Sequence, residues 1–476
     1  MTPPTDIRHV LFCVADQWRY DALSAIGTPG LATPNIDALV ADGVHFANHW
    51  CQASPCGPSR SSLLTGTHLP THGQWTNSDL ADHGLTTLPA AARSVGVTPL
   101  LVGYTDTPQP DGGLVDPAFD VVQPFVWQTG FPSWRRELAT RGYAVDEINH
   151  PFGLYAPAGE PSSAGLSPAH YSAADSDMSL LTDAAIGVLQ DIPDRALLHV
   201  NWLRPHPPMT APAPYHRLVA PEDVALPKRA TGLQELMALH PYFASTVPGR
   251  AMLEYTQRSQ TIEQVSEWDE RLARAAYYGL CAEVDHHLGR LIDELKKQQI
   301  FDKTLIILTS DHGESLGDHW MYGRRGPFDG HFRVPCIVRD PRQIADRTRG
   351  STVDNFTANI DLLPTICEAV GSPIPEEVEG QSLLAHTDGT PPASWRDHVR
   401  YDMSWHDHLP TESRTSSSAA DHRFSVIRTD RHRYVRFPSL PPLLFDLHDD
   451  PAETIDRSQD PTLRSTIAEF DSLLRR

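Results

Sequence analysis

Short apolar runs alternate with amphipathic stretches along the chain, a pattern typical of α/β proteins. The run 8–15 (RHVLFCVA) has the pattern of a buried strand, and polar Asp16 and Gln17 follow it directly. A second apolar, β-branched run, Thr304–Thr309, is followed by the polar cluster 310–314 (SDHGE). Because α/β proteins bind ligands beyond the carboxyl ends of their strands, we expect the two polar clusters to meet at one edge of a sheet.

The same periodicity predicts further elements. Strands are predicted at 44–50, 98–102 and 196–202, and helices at 34–40, 88–94, 180–189 and 268–298. Two stretches rich in Pro, Gly and Ser, 105–175 and 207–262, have weak periodicity. Long loops of this kind inside a compact domain are usually functional, so we expect them to wall a pocket.

The pattern of apolar and polar residues changes near residue 373, where the segment 372–375 (SPIP) breaks the regular secondary structure. A hairpin at 424–437 and a final helix at 463–474 are predicted beyond it. We therefore predict two units: a catalytic α/β domain at 1–372 and a smaller α+β subdomain with antiparallel strands at 373–476.

Composition and charge narrow the classes of partner. With 476 residues, 40% hydrophobic and 21% charged, the chain has the composition of an ordinary globular protein. Its formal charge of −21 repels phosphate backbones and anionic lipids, which argues against nucleic acid and membrane as partners. A small anionic substrate would need a locally positive pocket.

The first residues and the cysteines indicate a compartment. Residues 1–6 lack the basic and apolar regions of a secretory signal, and the apolar run 10–15 is too short to anchor the chain, so we expect a cytoplasmic protein. The six dispersed cysteines form no CxxC pair and are expected to be free, mostly buried thiols.

Cys56 stands apart because of its surroundings. The segment 51–66 reads CQASPCGPSRSSLLTG. It resembles the sulfatase signature C-x-P-S-R followed by S/A-S-x-L-T-G, in which activating enzymes oxidise the cysteine to formylglycine. The resemblance implies that Cys56 is the precursor of a formylglycine nucleophile, matured by a formylglycine-generating enzyme. One hydroxyl of the hydrated aldehyde would attack sulfur or phosphorus, and the other would lose its proton to expel the bound oxyanion.

The predicted helix start at Cys56 suits this chemistry, since free backbone N–H groups and the helix dipole favour an anion there. Arg60, about one helical turn later, is expected to hold the hydrate by a charge-assisted hydrogen bond.

A metal site is expected where the two strand ends meet. Asp16, Gln17, Asp311 and His312 are the predicted ligands, completed by the Cys56-derived oxygen. Oxygen donors with one imidazole suit a fairly hard divalent ion, with Mn²⁺ or Ca²⁺ favoured, Mg²⁺ possible by the same donor chemistry, and Zn²⁺ less natural. The segment 310–319 (SDHGESLGDH) resembles the family pattern S/T-D-H-G-E-x-L-G-D-H. Gln17 departs from the second aspartate of many sulfatases and matches the phosphonate monoester hydrolase branch.

Further matches to that branch supply candidate substrate contacts. Asn77 and Tyr104 would donate hydrogen bonds to substrate oxygens, and His206 would protonate the leaving oxygen or hydrogen-bond the anion. Arg324 replaces the lysine usual in the family. It keeps the positive charge that stabilises the transferring group but cannot give up a proton, which puts a proton-donor role in doubt.

The resemblance runs from residue 7 to about residue 456. It implies a three-layer α/β sandwich with a large mixed sheet, as in the alkaline phosphatase superfamily. It also implies metal-dependent hydrolysis of sulfate esters, phosphonate monoesters or both. Two alternatives stay open: a strictly sulfate-specific arylsulfatase, and a non-catalytic homologue that binds a metal or anion. The sequence does not decide the natural substrate or whether the chain forms a homo-oligomer.

Overall fold

The computed structural model describes residues 7–81, 84–126, 130–145, 151–155, 157, 166–409 and 418–475. Its strands are β1 His9–Ala15, β2 Val44–Phe46, β3 His49–Trp50, β4 Ala53–Ser54, β5 Thr98–Gly103, β6 Asp120–Pro124, β7 Ala196–Trp202, β8 Thr304–Thr309, β9 Cys336–Arg339, β10 Ser351–Val353, β11 Thr357–Ala358, β12 His398–Ser404, β13 Arg423–Thr429, β14 His432–Arg436 and β15 Leu443–Asp446. Its α-helices are α1 Pro34–Asp42, α2 Cys56–Thr65, α3 Leu69–His72, α4 Leu88–Ser94, α5 Pro132–Thr140, α6 Asp177–Gln190, α7 Leu233–Leu239, α8 Pro241–Thr246, α9 Leu253–Thr256, α10 Glu267–Lys297, α11 Asp329–Phe332, α12 Leu362–Val370, α13 Leu384–Thr387 and α14 Arg464–Leu473.

A large mixed sheet forms the centre of the molecule, with strand order β10-β2-β9-β8-β1-β7-β5-β6. Strand β9 runs antiparallel to both of its neighbours, and the other pairs are parallel. The predicted α/β class with a large mixed sheet is confirmed.

Strand β1 lies at the middle of this sheet and is buried on both faces. Its alternate side chains enter two hydrophobic clusters, Leu11 and Cys13 on one face and Val10 and Phe12 on the other. Helices α6 and α10 contribute to the first cluster, and α2, α4 and α12 contribute to the second. Helices thus cover both faces, which gives the three-layer arrangement.

The register of β1 brings the two predicted polar clusters together. Val14 pairs with Thr309 of β8, and Ala15 pairs with Trp202 of β7. Asp16 and the segment 310–314 therefore begin side by side at the same sheet edge. The predicted convergence is confirmed.

The structure differs from the predicted elements in two places. The predicted strand 44–50 is two short strands, because the chain leaves the large sheet after β2 and β3 then pairs with β11. The predicted loops 105–175 and 207–262 contain β6, α5 and α7 to α9. These helices are four to nine residues long, too short for their periodicity to stand out in the sequence.

A second, five-stranded sheet has the order β15-β14-β13-β12-β4. Strands β12 to β15 pair antiparallel, as predicted for the C-terminal part, and α14 packs on them through Phe470. Its last strand, β4, belongs to the segment just before Cys56 and runs parallel to β12, with Asp402 opposite Ala53. The boundary at residue 372 remains a prediction.

All six cysteines are buried and free of disulfides. None of the helices in the described ranges combines the length and the apolar character needed to cross a membrane. The cytoplasmic location remains a prediction.

Candidate active site

Cys56 is the first residue of α2 and is only 3% exposed. Its Sγ lies 3.2 Å from Nε2 of His312, 3.0 Å from Nη1 of Arg324 and 3.8 Å from Oδ1 of Asp16. Burial and the Asp16 carboxylate raise the pKa of the thiol well above its usual range. Three of the residues predicted from distant segments therefore surround the predicted nucleophile.

Four predicted metal ligands form one compact group. One ligand atom each from Asp16, Cys56, Asp311 and His312 lie within 4.8 Å of one another, and all four residues are buried. The His312 ring is oriented by a 3.0 Å contact between Nδ1 and the carbonyl of Gly313, which places the proton on Nδ1. Nε2 then faces the group and is the nitrogen available to bind a metal.

Gln17 also fits a metal site, although its position requires a left-handed backbone with φ of 67°. Its side-chain nitrogen donates a hydrogen bond to Glu314, which fixes the amide orientation. The amide oxygen Oε1 is buried and has no hydrogen-bond partner among the described residues. Two carboxylates, an amide oxygen and one imidazole make a donor set suited to a hard divalent cation.

Glu314 was not singled out by the sequence analysis, although it lies in the recognised 310–319 segment. It accepts hydrogen bonds from the backbone N–H groups of Leu316, at 2.8 Å, and Gly323, at 2.6 Å. It thereby connects Gln17 to the loop that carries Arg324. Glu314 is the only glutamate of the 310–319 segment, and its place there gave no signal of this structural role.

Arg60 and Tyr104 lie beneath the metal group. The Arg60 Nη2 atom is 3.2 Å from Asp16 Oδ2 and 3.0 Å from Asp311 Oδ2, and its guanidinium stacks 4.3 Å from the Tyr104 ring centre. The Tyr104 hydroxyl donates a 2.5 Å hydrogen bond to Asp16. Both side chains therefore hold carboxylates in place, whereas the sequence analysis expected Arg60 on the hydrate and Tyr104 on the substrate.

Replacing Tyr104 with phenylalanine is expected to weaken the affinity for the divalent metal by about tenfold, because Asp16 loses a hydrogen bond that orients it. Titration of metal-free protein with Mn²⁺ measures the change. A raised KM with unchanged metal affinity would instead support the substrate contact predicted from the sequence.

A cavity of about 280 Å³ lies next to Cys56, lined by its neighbours Pro55 and Arg324 and by Gln17. Asn77 and Arg324 line it, as predicted for side chains that contact substrate oxygens. The Asn77 Oδ1 atom accepts a 2.9 Å hydrogen bond from the backbone N–H of Gly57, so its amide nitrogen is the atom left to donate to a ligand.

His206 also lines the cavity, at the end of a loop that follows β7. Its Nδ1 lies 2.6 Å from the Pro207 carbonyl, which places the proton on Nδ1. Burial and the positive charge of Arg324 lower the pKa of His206 to about 3. In the substrate-free protein the imidazole is thus neutral with Nε2 as an acceptor, and its predicted role as a proton donor requires an anion to bind first.

Arg204 holds the segment after β7 that carries His206. The Arg204 Nη1 atom donates to the carbonyls of His206, at 2.9 Å, and Pro208, at 3.0 Å, and the guanidinium stacks 4.0 Å from the Tyr155 ring centre. Two buried carboxyl groups, Asp177 and Glu283, lie near this arginine. Burial and Asp177 raise the pKa of Glu283 to about 8.

Replacing Glu283 with glutamine is expected to stabilise the protein at pH 8 by on the order of 3 kcal/mol. Because the folded-state pKa is raised above its ordinary value of 4.5, the wild type loses stability as pH rises from 4.5 to 8. The neutral variant should lack this loss. Denaturant unfolding at several pH values measures it, and Glu294→Gln on the same helix, where the pKa of the wild-type carboxyl is lowered, should show no such gain.

Several cavity-lining residues were not predicted individually. They are Arg250, Glu254 and Tyr255 from 207–262, Arg325 next to Arg324, and Ser404, Asp407 and His408 from the C-terminal part. The 207–262 stretch thus walls the pocket as predicted, and among the described residues the 105–175 stretch contributes none of the lining.

The fold and the site together define a hydrolase of the alkaline phosphatase type. The chain belongs to the sulfatase family, which it matches over residues 8–372. A second match, to the C-terminal region of N-sulphoglucosamine sulphohydrolase, covers residues 317–476.

Among its relatives is the multifunctional alkaline phosphatase superfamily protein PehA of Trinickia caryophylli, which is 33% identical over 97% of this chain and 93% of that protein. An arylsulfatase of Clostridium perfringens is 24% identical over 83% of this chain and 82% of its own length. The crystal structure of a phosphonate monoester hydrolase of Agrobacterium radiobacter has a TM-score of 0.90 and 33% identity, covering 98% of this chain and 94% of that one.

Proposed function

We propose that this protein hydrolyses sulfate esters and phosphonate monoesters, with a formylglycine derived from Cys56 as its nucleophile. The observation that carries the proposal is the convergence of Cys56, the Arg324 guanidinium and the four-residue metal group beside a cavity that Arg324 and Gln17 line. Nucleophile, cation and metal ligands are the parts that displacement at a tetrahedral oxyanion requires.

A bound divalent cation would supply positive charge to the transferring group and lower the pKa of the attacking hydroxyl. Asp16, Gln17, Asp311 and His312 would hold it, and the oxygen-rich set favours Mn²⁺ or Ca²⁺. Tyr104 and Arg60 keep the carboxylates of this set in place. A formylglycine-generating enzyme is the partner needed for maturation.

The reaction divides into a displacement at sulfur or phosphorus and an elimination that releases the product. An oxygen of the hydrated residue 56 bonds to sulfur or phosphorus as the bond to the ester oxygen breaks, and the alcohol leaves with a proton. Loss of the proton from the second hydroxyl re-forms the carbonyl, and the carbon–oxygen bond to the transferred group breaks, releasing sulfate or phosphonate. Water then restores the hydrate.

Two side chains of the cavity contact the transferring group in this proposal. Arg324 lies 3.0 Å from the Cys56 sulfur, so its guanidinium is placed to neutralise a non-bridging oxygen. The Asn77 amide nitrogen donates to another oxygen. His206 interacts with the leaving oxygen once the anion has raised the pKa of its imidazole.

Phosphonate monoesters are favoured over strict sulfate specificity by the relatives. The phosphonate monoester hydrolase of Agrobacterium radiobacter is 33% identical, whereas the arylsulfatase of Clostridium perfringens is 24% identical. Gln17 is also the residue expected of the phosphonate branch. The non-catalytic alternative is disfavoured because the whole predicted ligand set converges.

Kinetics on an aryl sulfate and an aryl phosphonate monoester with the same leaving group test the proposal. Protein produced with a formylglycine-generating enzyme should hydrolyse at least one of them, with the phosphonate preferred. Absence of turnover of both esters, in metal-loaded protein whose residue 56 is fully converted, would contradict it.

Replacing Arg324 with glutamine is expected to lower kcat/KM by on the order of 10²- to 10³-fold, because the transferring group loses its positive partner. Arg324→Lys should recover part of the loss, since lysine restores the charge without the planar fork. Arg136→Gln, an exposed position on α5, removes the same charge away from the cavity and is the matched control. Equal losses of kcat/KM in both glutamine variants would show that the effect comes from the net charge of the protein. That outcome would contradict the contact between Arg324 and the transferring group.

A further inference from the structure

A second cavity continues outward from the catalytic one. Its volume is about 580 Å³, and the segment 245–253 and Leu409 form much of its wall. The two cavities share the lining residues Arg250, Glu254, Arg325, Asp407 and His408. Any molecule that extends from the catalytic cavity toward this opening passes along these shared side chains.

The position of the nucleophile determines which part of a substrate enters the outer cavity. Cys56 is buried behind the lining residue Arg324, 3.0 Å from its guanidinium, so attack proceeds from the buried side of the cavity. In an in-line displacement the leaving oxygen lies opposite the nucleophile and points toward the opening. The alcohol portion of the ester therefore occupies the outer cavity, whereas the transferring group stays beside the metal group and Arg324.

Arg250 and Arg325, both half-buried, line this path and have no acidic partner among the described residues. In the described part of the chain, no carboxylate oxygen lies within the 4.0 Å ion-pair distance of Arg250 or Arg325. Arg325 donates a hydrogen bond to the Thr246 carbonyl, and the Arg250 Nε atom is buried with no hydrogen-bond partner among the described residues. By contrast, buried Arg19 and Arg339 both have aspartate partners, at 2.7 and 2.9 Å.

The positive charges of Arg250 and Arg325 also repel each other. Burial and the neighbouring Arg250 lower the pKa of Arg325 to about 9. The shared carboxylates Glu254 and Asp407 are exposed, so water and salt screen their charge. A ligand that brings a negative group between the arginines would relieve this repulsion and replace the water that each guanidinium has lost.

We propose that the natural ester carries a second anionic group on its alcohol portion, a carboxylate, sulfate or phosphate, bound by Arg250 and Arg325. His408, whose buried Nδ1 atom has no hydrogen-bond partner in the described ranges, lies at the same wall and adds a polar contact. The proposal rests on the proposed ester hydrolysis and specifies its substrate class as esters of acidic alcohols.

The test compares two phenylphosphonate monoesters, one of 3-hydroxybenzoate and one of 3-hydroxybenzamide. The leaving groups have nearly the same shape, and only the first carries a second charge. We expect the wild type to prefer the carboxylate ester in kcat/KM by about tenfold at low salt, with the preference shrinking as ionic strength rises. Because both esters are assayed on one sample, the ratio does not depend on the fraction of active protein.

The Arg250→Gln/Arg325→Gln double variant should bring this ratio close to one, and Arg136→Gln should leave it at the wild-type value. A wild-type ratio at or below one, or a ratio unchanged in the double variant, would overturn the proposal.

If neither ester is hydrolysed, the proposed catalytic function fails separately. Calorimetric binding of the same two esters to wild type and double variant then measures the preference directly. Equal affinities of the wild type for both esters would refute the anion subsite by that route.

Discussion

Cys56→Ala is expected to lower kcat/KM for an aryl phosphonate monoester by at least about 10⁴-fold, because alanine lacks the thiol from which the nucleophile would be made. Cys56 is the first residue of α2 and lies 3.0 Å from Arg324, so its loss leaves the cation and the metal group without an attacking atom. Initial rates at saturating Mn²⁺, with protein matured in the same way as wild type, measure the effect.

Cys51→Ala is the matched control, since Cys51 is also buried and lies five residues earlier. It should retain activity and the converted residue 56, which mass spectrometry detects as replacement of the thiol sulfur and two hydrogens by one oxygen. If wild-type residue 56 remained a thiol in protein synthesised together with the activating enzyme, or if Cys56→Ala kept its turnover, the nucleophile assignment would be wrong.

Asp311→Asn is expected to lower both metal occupancy and turnover, with kcat/KM falling by on the order of 10³-fold. The Asp311 Oδ1 atom accepts backbone hydrogen bonds from Gln17, at 3.0 Å, and His312, at 2.8 Å, so the carboxylate organises two other proposed ligands in addition to its own proposed contact with the ion. An amide removes one negative charge and turns one oxygen into a donor.

Elemental analysis of the purified variant, and a Mn²⁺ titration of its metal-free form, measure occupancy independently of catalysis. Asp302→Asn removes the same charge at an exposed position beside Arg339 and should behave as wild type. Full metal occupancy with normal turnover in Asp311→Asn would contradict the metal centre.

Much of the fold was predictable because it depends on local patterns. The apolar runs of β1, β7 and β8 have the length of buried strands, and the structure places them within a residue of their predicted bounds. The single predicted strand 44–50 was wrong because periodicity does not report which sheet a strand joins. The switch from β2 to β3 depends on pairing with distant β10 and β11.

The candidate site likewise contains residues that the local sequence predicts and contacts that only the fold creates. Ligands that follow a strand directly, such as Asp16 and Asp311, were predictable from the strand itself. The contacts of Arg60 and Tyr104 with Asp16 were not, because they arise where α2 and the end of β5 pack against β1. Arg250 and Arg325 carry no sequence signal of their own, and only the folded cavity shows them together.

The pairing of β4 with β12 sets an order of events during biosynthesis. Residues 53–54 lie two to three positions before Cys56, yet their sheet partners, Asp402 and Met403, are made some 350 residues later. In the folded chain Cys56 is only 3% exposed, which leaves a separate enzyme little access to it. Under the proposed maturation, conversion of Cys56 would therefore have to precede completion of the fold, and maturation and folding would compete in time. A slower-folding chain would be converted more fully, whereas a chain refolded alone would keep its thiol.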